Sequence, residues 1–261
     1  LASPFLSWSP SPINLTSPAV LSTNELTATA RSTSTGPIVP GTWNYSPAAG
    51  SSLSIGTNVV VGTFVPTDLN SYSIGTITNQ IVVAPAAKLN PTVTVNVGSY
   101  TYNGSLQGPG VSEVNKGGST GSVTLQYGGS SLGGTAYGPT NVPPTSAGNY
   151  TVIATVAEDA NYNQASSSPT AFTIAKGTLV LSGITATGIT QGQTLSASTI
   201  TGTAKNAAGA NVAGTWSYQN PSNTPSVGTG NHNVVFRPSD SDNYNSANGT
   251  ASVTVTPASS G

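Results

Sequence analysis

Cysteine and methionine are absent from this 261-residue chain, histidine occurs once, and charged residues make up only 5%. Without cysteine there are no disulfides and no thiolate metal sites, and the redox compartment is left open. Six Lys plus Arg, scattered along the chain, do not form the basic footprint that nucleic acid requires, so no nucleic-acid partner is expected. No apolar run approaches the ~18 residues of a membrane-spanning helix, and no membrane insertion is expected. A phosphate-cradling loop of the GxxxxGKS/T type is missing. Methionine is missing even at position 1, which predicts a processed product or an excised segment.

What is present is polar without being charged. Apolar residues make up 36%, below the usual ~45–50%. Disorder normally couples such a deficit to high net charge, but here the net charge is −1. Ser, Thr, Asn and Gly fill the polar positions, and β-branched Val, Ile and Thr are abundant, which favours strands. The uncharged Ser/Thr/Asn surface, taken with the repeats below, predicts an extracellular or cell-surface setting.

Three stretches of the chain repeat one another. "VPGTWNYSP" (39–47) matches "VAGTWSYQN" (212–220), and "TFVPTDLNSY" (63–72) matches "VFRPSDSDNY" (235–244). Gly56 and Tyr72 are 16 residues apart, as are Gly228 and Tyr244. The middle stretch is more distant: it lacks Gly-Thr-Trp, yet Gly148 stands 14 residues before Tyr162 in "DANYNQASSS". Tyr72, Tyr162 and Tyr244 therefore mark three modules, expected at 1–87, 88–175 and 176–261. The joints "VVAPAAKLNPT" (82–92) and "FTIAKGTLVLSG" (172–183) are too short for the flexible tethers of freely tumbling domains, so a semi-rigid rod is expected.

Within the modules the apolar period is two. "TVTVNV" (92–97) places Val93, Val95 and Val97 on one face; "TVIATV" (151–156) and "ASVTVTP" (251–257) alternate likewise. This is the pattern of antiparallel strands buried on one face. With about 85 residues per module and Gly and Pro punctuating the turns, the fold class is all-β, an immunoglobulin-like β-sandwich in each module. Trp43 and Trp216 are assigned to the core, with sugar stacking as the alternative for the tryptophans. Tyr72, Tyr162 and Tyr244 fall in the turn before each final strand. They are read as structural corners whose rings bury and whose hydroxyls bond to backbone.

Few residues carry catalytic chemistry. His232 is the lone histidine, no GxSxG elbow is present, and the seven carboxylates are scattered over all three modules. Neither catalytic residues nor a cofactor is expected, and the chain is read as a non-enzyme. Asp68, Asp159, Asp240 and Asp242 precede the repeated tyrosines, where Asp caps turns. A weak calcium site at Asp240 and Asp242 is the alternative.

The residues also carry a resemblance. "SWSPSPI" (7–13), "LSTNELTATA" (21–30), "PGTWNYSPAAG" (40–50) and "FVPTDLNSY" (64–72) resemble the bacterial immunoglobulin-like repeats of large secreted and surface proteins. "GQTLSAS" (192–198), "AGTWSY" (213–218) and "FRPSDSDNYNSA" (236–247) look like the same type. "YTYNGS" (100–105), "SAGNYTV" (146–152) and "EDANYNQAS" (158–166) are similar to the glycine-rich bacterial surface repeats. The resemblance implies a stalk, spacer or adhesive module, and fold alone does not choose among these. Three functions follow as expectations: a structural stalk segment, within an adhesin in one version; a self-assembling filament or surface-layer subunit; and a carbohydrate- or ice-binding module using exposed Tyr100, Tyr102, Tyr127 and Tyr137. The partners expected are neighbouring modules, other copies of the chain, or a cell-surface or glycan ligand.

Overall fold

A strand with one apolar face must lay that face on another sheet, and the alternating segments do so. The computed structural model describes residues 1–259 and is built almost wholly of short strands, with two single-turn 3-10 helices at Val111–Glu113 and Leu195–Ala197. No α-helix occurs among the described residues. The chain divides into two compact units, Leu1–Lys88 and Leu89–Gly261.

The first unit is organised by a four-stranded sheet in the order Ile13–Thr16, Gly75–Ala84, Gly56–Pro66, Gly41–Ser46. The two long strands form an antiparallel hairpin, and Ile13–Thr16 joins its outer side in parallel. Two small sheets, Phe5–Ser7 with Thr29–Arg31 and Ala19–Val20 with Ser52–Leu53, accompany it. In Gly56–Pro66 every second residue turns inward, so Val60 and Phe64 are almost fully buried with Ile81 and Val83 of the partner strand. Trp8, Leu21 and Ala28 pack with Val60, Ile81 and Val83, while Phe64 packs with Ala30 and Val39. Burying each such aliphatic side chain is worth about 1.5–3 kcal/mol, which lets the unit fold without a cross-link.

The second unit contains two sheet systems on the same plan. In the first, Tyr100–Thr101 runs parallel to Thr170–Ala175, followed by Gly148–Val156, Val123–Ser131 and Ala136–Thr140. Val152, Ala154 and Val156 are fully buried, with Tyr127, Tyr150 and Phe172 packed around them. In the second, Ile189–Thr190 runs parallel to Ala247–Thr256, followed by Gly228–Pro238 and Gly214–Tyr218, while Val180–Ala186 pairs with Ile200–Lys205 in a separate sheet. Ala251, Val253 and Val255 face inward, as the alternation of "ASVTVTP" requires. The fold is thus a tandem array of all-β, immunoglobulin-like sandwiches.

Some expectations change. Of "TVTVNV" only Thr94–Val95 is strand; Val93 and Val95 are buried, but Val97 is 45% exposed because the pleat ends before it. Trp43 and Trp216 are half-buried at the edge of their cores, and the fully buried indole is Trp8. Trp43 stacks on Tyr45 at 5.8 Å, and Trp216 meets Phe236 edge-on at 5.0 Å. An indole on an edge strand is covered from one side only, which the period-two pattern does not reveal. Gly41 and Gly214 explain the repeated Gly-Thr-Trp. A Cβ at either would strike the ring of Phe64 or Phe236 and the carbonyl of Val65 or Arg237 across the sheet.

Candidate functional site

The three tyrosine phrases lie where expected, in the loop between the last two long strands of each sandwich. Asp shapes each loop. Asp68 Oδ1 accepts the N–H groups of Asn70 and Ser71, and Asp240 Oδ1 accepts that of Asn243. One turn of chain follows, closed by Tyr72 N–H to Asp68 C=O and Tyr244 N–H to Asp240 C=O, both 3.1 Å. Asp159 does more: Oδ1 accepts Asn161 and Tyr162 N–H, and Oδ2 accepts Thr120 N–H and the Ser119 and Thr120 hydroxyls. These donors, the Thr120 N–H foremost, hold its carboxyl well below the usual aspartate range.

The loops also perform a task that the sequence did not reveal. Each tyrosine pairs with the chain entering its own module: Ala2 with Tyr72, Leu89 with Tyr162, and Gly177 with Tyr244. The bonds are the same in each copy. The entering residue donates its N–H to the residue before the tyrosine at 2.8 Å and accepts from the residue after it, at 3.0, 2.8 and 3.0 Å in turn. The phrase is therefore a socket for the incoming chain as well as a corner before the last strand. These two bonds use only the backbone of the flanking residues, which is why Ser71-Tyr72-Ser73 serves as well as Asn-Tyr-Asn.

Inside the second unit the Tyr244 socket clamps two sandwiches together. The Tyr244 ring meets Tyr102 edge-on at 5.1 Å, and Asn206 Nδ2 donates to its hydroxyl at 3.2 Å. Asn243 Oδ1 accepts Ala147 N–H at 2.8 Å, and Lys176 Nζ donates to Ser241 C=O at 2.5 Å. Gly177 sits at the centre, where a Cβ would lie 3.0 Å from both the Tyr102 carbonyl and the Tyr244 ring. Burial, with Tyr244 and Asp240 nearby, raises the Tyr102 phenol above its ordinary range.

The expected hydroxyl-to-backbone corner falls elsewhere. Tyr244 bonds to a side chain, whereas Tyr150 donates to Ser146 C=O at 2.9 Å and Tyr127 to Pro109 C=O at 2.5 Å. Tyr72, Tyr162 and Tyr244 are all half-buried. The exposed tyrosine platform of the glycan or ice reading is corrected. Tyr127 is 2% exposed, and Tyr100, Tyr102 and Tyr137 pack against the same core. Period two does not say which face of a strand is the inner one, and these rings turn to the core.

The remaining polar groups are mostly engaged locally. Glu25 Oε2 accepts from Ser22, and Glu113 Oε2 from Gly110 and Ser112. Both oxygens of Asp240 accept from the Asn243 amide. Among the described residues no group of three or more His, Cys, Asp or Glu is placed to hold a metal ion. His232 lines a cavity of about 190 Å³ with Leu195, Gln219, Asn220, Asn223, Asn231 and Asn233, and no carboxylate lines that cavity. Trp216 lines one of about 460 Å³ with Ser196, Ser198, Thr199 and Tyr218.

No family model and no curated protein matches the chain. Among solved structures it is similar to a protocadherin gammaB7 EC3–6 cis-dimer at 12% identity, covering 97% of this chain and 73% of that one, with a TM-score of 0.33. It is also similar to Drosophila N-cadherin EC1–3, at 13% identity, 99% and 100% coverage and a TM-score of 0.28. The N-terminal four Ig domains of Dscam1 isoform 9.44 match at 11% identity, 94% and 71% coverage and a TM-score of 0.28. Likenesses this slight decide neither fold nor function, and the sandwich assignment rests on the strand pairing above.

Proposed function

We propose that this chain is a non-enzymatic, extracellular module array that serves as a structural spacer in a bacterial surface or secreted protein. The observation that carries this reading is the joint around Gly177, where one loop both closes a sandwich and grips its neighbour through Tyr102 and Ala147, with Lys176 of the connecting chain bonded to Ser241. A spacer transmits position only if successive sandwiches hold their angle. A backbone socket with a ring contact and side-chain bonds supplies that stiffness, where a Gly/Ser tether would not.

The sparse charge fits the same role, since a surface of Ser, Thr and Asn stays hydrated without attracting charged partners. Carboxylates engaged in their own turns support the non-enzymatic part of the reading. Beads coated with a small binding domain should capture its ligand better when this chain separates the domain from the bead. The chain alone should capture neither cells nor arrayed glycans. Capture by the chain alone would overturn the spacer reading in favour of an adhesive module.

A further inference from the structure

We propose that the Gly41–Ser46 strand is a self-complementary docking edge, pairing antiparallel with the same strand of a second copy of this chain about a two-fold axis at Trp43. The strand is the outer member of the first unit's larger sheet and pairs as a strand only with Gly56–Pro66 among the described residues, the Arg31–Ile38 bridge ending before Gly41. Thr67 N–H donates to Pro40 C=O, so residues 40, 42, 44 and 46 face the sheet. The N–H and C=O groups of Gly41, Trp43 and Tyr45 therefore point to the open side, as antiparallel alternation requires.

These three positions are symmetric about Trp43. A two-fold partner sets Trp43 against Trp43 and Gly41 against Tyr45, and all six exchanged backbone bonds find both donor and acceptor. Shifting the axis loses bonds, because Pro47 has no N–H and the Val39 N–H is already given to Ala30 C=O. On the outer face the same register sets exposed Thr42 opposite exposed Asn44, two small uncharged polar groups. The exposed edges of the half-buried Trp43 and Tyr45 rings would be covered by their mates, which accounts for bulky aromatics left at an edge.

The other edges of the larger sheets are short, interrupted by proline or flanked by charge, whereas Gly41–Ser46 offers six residues between Pro40 and Pro47. Tyr100–Thr101 and Ile189–Thr190 are two residues long, and Ile13–Thr16 is bracketed by Pro12 and Pro18. Ala136–Thr140 contains Pro139. Its counterpart in the last sandwich, Gly214–Tyr218, has Arg237 beside it, whose Nη1 donates to Ser217 Oγ at 2.6 Å. The position equivalent to Arg237 in the first unit is Val65. Short edges, prolines and charges are the usual defences against edge pairing, and Gly41–Ser46 has none within it. A second copy is the occupant that matches this edge by symmetry.

The test is sedimentation of the full chain over a wide concentration range, with two double variants on exposed positions. Wild type should form a dimer. Thr42→Lys with Asn44→Lys sets like charges directly opposite and should weaken dimerisation roughly tenfold or more, with circular dichroism and melting unchanged. Thr42→Asp with Asn44→Asp should do the same. Mixing the two variants should restore a heterodimer, because each Lys then faces an Asp. The single pair Asn44→Lys and Thr42→Asp gives the same readout with one charge per copy. Wild type that stays monomeric at millimolar concentration overturns the proposal, including the case in which it binds an extended peptide of another protein instead. Lys variants that dimerise as tightly as wild type, or folded variants that do not recombine, also overturn it. None of these results bears on the spacer reading, which the bead assay tests separately.

Discussion

Both carboxylate oxygens of Asp159 are occupied by donors from two loops, which makes this residue the acid-sensitive point of its sandwich. Its folded pKa is depressed, so its stabilisation is fully present above the ordinary aspartate value of about 3.9 and is lost as pH falls from there toward the folded value. Asp159→Asn should therefore lower stability at neutral pH and flatten the acid limb of the stability profile, read by urea melts at stepped pH. Tyr244 tests the socket. Tyr244→Phe loses the Asn206 bond, at a cost of about 0.5–1.5 kcal/mol. Tyr244→Ala also removes a half-buried ring packed on Tyr102, and should cost about 2–4 kcal/mol in denaturant melts. Equal and negligible losses would show that the ring is no joint. Position and spacing revealed these tyrosines in the sequence; the partner of the Tyr244 hydroxyl was not legible there, because Asn206 comes from a loop distant in the chain.

At the scale of strands, the period-two alternation located the inner faces of Gly148–Val156 and Ala247–Thr256 correctly. It misplaced Val97 and the middle-module tyrosines, because periodicity gives two faces without saying which is inner or where pairing stops. The repeated glycine of Gly-Thr-Trp had a physical cause that a single strand does not display, namely a phenylalanine ring on the neighbouring strand. Gly41→Ala and Gly214→Ala should each destabilise by about 1–3 kcal/mol through overpacking against Phe64 and Phe236. Equal loss at both sites in thermal or chemical melts is expected from their shared geometry. A neutral result would mean that the rings swing aside.

At the scale of the molecule, Leu1–Lys88 carries its own core and its own entry socket at Tyr72. Residues 1–88 expressed alone should keep their fold and show one cooperative transition. The Leu89–Gly261 unit contains two cores joined by the Gly177 clamp, so calorimetry should find them melting together. Asn243→Ala removes the acceptor of Ala147 N–H, and with Tyr102→Ala it should split that transition into two. An unsplit transition in the double variant would place the coupling elsewhere.

Composition, period and repetition are local properties, and they were enough for the all-β class, the sandwich plan and the place of the tyrosine phrases before each last strand. Each follows from neighbours in the chain: alternating side chains must share a face, and an Asp before a turn bonds its own backbone. The socket function of the tyrosine phrase, the inward set of Tyr127, the clamp at Gly177 and the open edge at Trp43 depend on segments tens of residues apart. Which backbone groups remain unpaired is fixed by the register between strands, and register exists only after the sheets have assembled.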